Sequence, residues 1–221
     1  LSRRALGAVL AAMAGLAVLA GSRAASTDRP EANLAFRAYM PEVTRGYLPA
    51  PTPTAVPTPA PGVIVSLDLP SASLNANWPV EVRDTYWAGD AEFFEDPSAP
   101  QMIAWYARFG QPGAPGTNSI LAAHVDYVGF GKGPFGYLTS AAAGDELTVG
   151  LDSGASYNYT VKSVAVVSLK DLDMDAVVYP WLDAGVERVT LISCGGTFVP
   201  YAGGGGEYTS RVILVAERYV D

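Results

Sequence analysis

The chain has 221 residues, 49% hydrophobic and only 16% charged, a composition that excludes a disordered chain and can supply one packed core. Residues 63–221 carry eight Lys and Arg against nineteen Asp and Glu, a net charge of −11, whereas residues 1–62 carry six cations and three anions. So acidic a body repels phosphate backbones, which argues against nucleic-acid binding, and one Cys with one His builds neither an internal disulfide nor a tetrahedral Cys/His zinc site.

Ser2-Arg3-Arg4 precedes seventeen uncharged residues, Ala5 to Gly21, and then Ser22-Arg23-Ala24-Ala25. That is the order of positive, apolar and small-residue regions in a bacterial export signal. As a helix this stretch reaches roughly 25 Å, slightly short of a ~30 Å hydrocarbon core, so residues 1–24 read as a signal peptide or a membrane anchor. Six of the thirteen residues from Pro49 to Pro61 are Pro, a run that cannot build regular backbone hydrogen bonds. Residues 25–62 read as an extracytoplasmic approach segment and Pro-rich spacer, whose run from Pro49 to Pro61 could as polyproline II hold a domain up to about 40 Å from its anchor.

Residues 63–221 read as one mostly β domain, expected to fold alone as a monomer. Short β-rich runs separated by Gly, Pro and Asp predict strands over Val63–Leu69, Val80–Arg83, Ser119–Ala123, Glu146–Leu151, Ser156–Val167, Arg188–Ser193 and Arg211–Arg218. Asp152-Ser153-Gly154-Ala155 is a hairpin turn between the fourth and fifth. The spacing of Met102, Trp105, Tyr106 and Phe109 predicts a helix ending at Gly110, and a second short helix is expected over Leu172–Val178 with Asp171 as its cap.

Three unlike polar residues fall at predicted strand ends, where they would form an exposed site. Cys194, the sole thiol, ends Arg188–Ser193 and precedes two glycines; Gly195 and Gly196 would let another chain approach closely. Arg211 opens the last strand, and antiparallel pairing of the two strands would bring it beside Cys194. His124 follows the apolar run Ile120–Ala123. Together they offer a thiolate nucleophile, an imidazole to manage its proton and a guanidinium for a developing oxyanion. Asp126 can orient His124 or make a turn contact. Asp171, Asp173 and Asp175 alternate without the glycine-centred pattern of a calcium loop, so no metal and no cofactor are expected.

Leu121-Ala122-Ala123-His124-Val125-Asp126 is similar to the LAGHVD of sortases, Thr190-Leu191-Ile192-Ser193-Cys194 to their TLxTC, and Arg211 to the arginine opening their final strand. With these motifs the chain resembles the sortases, bacterial cysteine transpeptidases, and most closely their class E/F type. Ala123 stands where Gly is common and Ser193 where Thr precedes the nucleophile; with Gly195 they are candidate substrate-binding positions. The resemblance implies a closed eight-stranded β-barrel with one or two short helices. It also implies cleavage of an LPXTG-type sorting signal between Thr and Gly by Cys194, with His124 and Arg211 assisting. The product would pass to an amine acceptor, a cell-wall precursor or a pilin, at the outer face of the cytoplasmic membrane. Two other readings stand beside this one: a non-catalytic surface β-domain on a Pro-rich stalk, and another exported thiol hydrolase.

Overall fold

The computed structural model describes residues 17–18, 62–89, 91–202 and 205–220. The expected signal or anchor and the expected spacer fall outside the described residues, except for Ala17, Val18 and Gly62. The first two form β1 (Ala17–Val18), with Ala17 opposite Phe93 and Val18 opposite Glu92 in an antiparallel pair.

The body is built from β2 (Ile64–Asp68), β3 (Val80–Val82), β4 (Thr85–Ala88), β5 (Ala91–Phe94), β6 (Ile103–Tyr106) and β7 (Asn118–Ala123). There follow β8 (Asp126–Tyr127), β9 (Gly131–Lys132), β10 (Glu146–Leu151), β11 (Ser156–Ser168), α1 (Met174–Val178), β12 (Val186–Pro200) and β13 (Gly206–Tyr219). Eight strands form one sheet in the order β2-β10-β11-β13-β12-β7-β6-β3. Its edge strands β2 and β3 touch without sharing a ladder, so the sheet is a nearly closed barrel.

Alternation along each strand sorts the apolar residues into two layers. Leu67, Trp105, Leu121, Leu191 and Leu214 belong to the main core that fills the barrel. Their neighbours Tyr106, Ile120, Ile192 and Ile213 face the other way and form a second cluster with Phe94 of β5 and Met174 and Val178 of α1. Both faces of the central strands are therefore dry, and β6 and β7 are buried at every position.

That double burial corrects the helix expected over Met102–Phe109. The segment is β6 followed by a turn, with Trp105 in the barrel and Tyr106 on the opposite face. A strand dry on both sides shows an unbroken apolar run, in which helical spacing appears by coincidence. The second helix is present but shorter, and its cap is Asp173, whose carboxylate accepts from the Ala176 amide at 3.1 Å, in place of Asp171. A β4–β5 hairpin absent from the sequence reading contributes Phe94 to the second cluster. The expected strands and the hairpin turn at 152–155 are found, though β12 and β13 run well past their expected ends.

Candidate active site

Cys194 and Arg211 are direct partners in the antiparallel ladder of β12 and β13. Cys194 is not at a strand tip, as the sequence suggested, because β12 continues to Pro200 and pairs there with Gly206. It sits at the end of the regular ladder, just before a register shift between Gly195 and Phe198. Such a shift twists the strand and re-aims neighbouring side chains.

Strand alternation puts Cys194 on the face of Ile192, and Arg211 on the face of Ile213. β7 runs parallel to β12 with Ala122 level with Ile192, and His124 follows at once beyond the end of β7, on the strand next to that of Cys194. The loop after β7 is fixed by backbone bonds: Phe135 N–H donates to the His124 carbonyl at 3.2 Å, and Gly133 N–H to the Val125 carbonyl at 3.1 Å. Gly133 lies so close to His124 that a Cβ there would run into its carbonyl. The imidazole meets Tyr127 edge to face, with centroids 5.2 Å apart.

All three residues are buried, with 6% of Cys194, 6% of His124 and 3% of Arg211 accessible, which corrects the expectation of an exposed site. Burial raises the Cys194 thiol above its ordinary pKa. Arg211 opposes that rise, while Asp96, Asp126 and Glu207 add to it. Burial likewise lowers His124, against the pull of Asp126. At neutral pH the thiol and the neutral imidazole therefore predominate. The Arg211 guanidinium donates to the carbonyls of Ser210 at 3.0 Å and Tyr208 at 3.4 Å, and lies 3.8 Å from the Glu207 carboxylate.

A cleft of about 310 Å³ opens beside the thiol, lined by Cys194, Gly195, Phe135, Leu138, Lys132 and Tyr208 among others. Of the candidate substrate-binding positions, Gly195 lines it. Ala123 belongs to the barrel core, and Ser193, 1% exposed, turns its hydroxyl to the Cys194 carbonyl at 3.1 Å. Those two do not line the cleft. Asp126 accepts from the Tyr208 phenol at 2.7 Å and lies 4.0 Å from Lys132. The sequence carried no signal for Tyr208, which is 82 positions from its partner. Among the described residues no group of three or more His, Cys, Asp or Glu is placed to hold a metal.

A nearly closed barrel that sets a thiol opposite a guanidinium, with an imidazole one strand away, is the framework of a thiol acyltransferase. The family model of the sortase domain matches residues 72–219, and the chain belongs to the sortase family. It is a cysteine transpeptidase. The fold is similar to that of the sortase SrtA from Actinomyces oris, with 21% identity, a TM-score of 0.51 and coverage of 75% of this chain and 88% of that one. Sortase A from Corynebacterium diphtheriae, in a lid mutant, gives 20% identity and a TM-score of 0.49 over 72% of this chain and 70% of that one. Sortase C-1 from Actinomyces oris gives 20% and 0.48 over 69% and 71%. No curated protein sequence matches the chain. Family membership removes the non-catalytic stalk domain and the unrelated thiol hydrolase from the alternatives.

Proposed function

We propose that residues 63–221 are an autonomous, monomeric catalytic domain that cleaves an LPXTG-type sorting signal between Thr and Gly and passes the protein to an amine at the cell surface. Residues 1–24 export or anchor it and residues 25–62 space it from the membrane. The observation that carries this reading is the Cys194–Arg211 ladder pair, on a strand whose parallel neighbour β7 leads directly into His124. The class E/F type is supported by the two motifs around His124 and Cys194.

In the reaction the Cys194 sulfur attacks the Thr carbonyl carbon while its proton resides on His124. Arg211 donates to the carbonyl oxygen as negative charge develops there. The C–N bond breaks, His124 gives its proton to the departing glycine amine, and a thioester remains on Cys194. An incoming amine then attacks the thioester, His124 takes its proton, and the thiolate leaves. Gly195 lines the cleft beside the sulfur, and its lack of a side chain lets Val212 of β13 pack against the nucleophile strand. The acceptor is a cell-wall precursor or a pilin amine.

An LPXTG-type peptide library mixed with candidate amines, with products identified by mass, tests the assignment. Cleavage after Thr with transfer to an amine is expected, and both must vanish in Cys194→Ala. Cleavage at another bond, or transfer that survives in Cys194→Ala, overturns it.

A further inference from the structure

Tyr208 touches the surroundings of all three polar residues. Its phenol donates to Asp126, two residues beyond His124, at 2.7 Å, and its backbone carbonyl accepts from Arg211 at 3.4 Å. Its ring lines the same cleft as Cys194 and is held edge to face by Phe198, with centroids 5.2 Å apart. The phenol bond is a long-range tie between β13 and the start of β8, joining the strand of Arg211 to the loop of His124. The Asp126 carboxylate otherwise has Lys132, on the other strand of its small hairpin, 4.0 Å from the same oxygen.

We propose that Tyr208 is a positioning residue, whose phenol holds the Asp126 carboxylate where its charge bears on His124 and so ties the imidazole loop to the strand that carries Arg211. The proposal rests on the catalytic reading above for its kinetic consequence, but not for its electrostatic one. The charged and titratable groups around this junction are Lys132 on β9, Glu207 and Arg211 on β13, Cys194 on β12, and Asp126 and Tyr127 on β8. Asp126 is the one that pulls the His124 pKa upward against burial. The Tyr208 phenol itself is pushed up to about 12, by burial and by its bond to Asp126, so it remains a donor throughout the working range. Without that donor, Lys132 and solvent compete for the carboxylate and draw it off the imidazole.

The test follows the ring resonances of His124 against pH in protein carrying no histidine tag, which is direct because the chain has one His. Asp126→Asn is expected to lower the His124 midpoint by about half a pH unit, the loss of one nearby carboxylate at partial screening. Tyr208→Phe, which keeps the ring, is expected to lower it by at least half as much, and the double variant by no more than Asp126→Asn alone. In peptide cleavage, Tyr208→Phe is expected to reduce kcat about tenfold with KM within about twofold, the signature of misplacement without lost binding. An unchanged midpoint in Tyr208→Phe, or a double variant whose shift is the sum of the two singles, overturns the proposal. Those titrations stand whatever the activity, so a failure of the sortase reading in Cys194→Ala is seen separately.

Discussion

Cys194 and Arg211 face each other as one rung of the β12–β13 ladder, so the thiol and the cation that opposes its neutralisation are held by backbone hydrogen bonds rather than by flexible loops. The guanidinium is fastened at one edge by the carbonyls of Ser210 and Tyr208. A planar fork can keep such bonds and still donate in parallel to a substrate oxygen, whereas an ammonium is a point charge.

Arg211→Lys is therefore expected to fold normally and lose about 100-fold in kcat/KM, the scale of one oxyanion donor. Peptide turnover together with circular dichroism checks it. Near-normal turnover would show that charge alone suffices.

Burial sets the pH dependence. The His124 pKa lies below its ordinary 6.5 and that of Cys194 above its ordinary 9.0. Between those limits the pair holds one proton, and the reactive thiolate–imidazolium form is a small, constant share of it. Acid adds a second proton and alkali removes the last, so activity falls on both sides. A broad bell in kcat/KM is expected, with limbs below 6.5 and above 9.0 that belong to the coupled pair. An acid limb above 6.5 would contradict burial as the dominant influence on His124.

Gly133 is a close-approach position under the His124 loop. An alanine Cβ there would collide with the His124 carbonyl carbon, 2.9 Å away, and with its oxygen. Gly133→Ala is expected to lower kcat by about 100-fold through displacement of the imidazole. Stability should fall only modestly, since the loop can shift outward; thermal unfolding measured beside turnover separates the two effects.

The sequence made β10 and the 152–155 turn legible because one face of that hairpin is wet and its polar alternation survives. β6 was misread because a second apolar layer, supplied by Phe94 and α1, hides the alternation. His124, Cys194 and Arg211 could be singled out, since each unusual residue stood beside an apolar strand. Their burial could not, because it comes from elements distant in sequence. Tyr208–Asp126 is a tertiary contact for which neither end has a local pattern.

Glu187 shows the same limit at the opposite end of β12 from Pro200. It is fully buried, accepts from the Tyr159 phenol, from the Gly113 amide at 2.6 Å and from Arg218 at 2.7 Å. Removing it leaves a partly buried guanidinium and two donors without their acceptor. Glu187→Ala is expected to destabilise the domain by about 3–5 kcal/mol in denaturant unfolding. Activity per folded molecule should stay near normal, because Glu187 is seven positions from Cys194 along the strand. Equal losses of activity and fold-corrected turnover would place Glu187 in the catalytic machinery instead.

Intact-mass analysis after mixing the protein with an LPXTG-type peptide, with no acceptor amine present, tests the central claim most directly. Water is a poorer nucleophile than an amine, so the account predicts an acyl adduct ending in the peptide's Thr, located on Cys194 and discharged on addition of amine. Peptide cleavage by Cys194→Ala protein, or an adduct on any other residue, would contradict it.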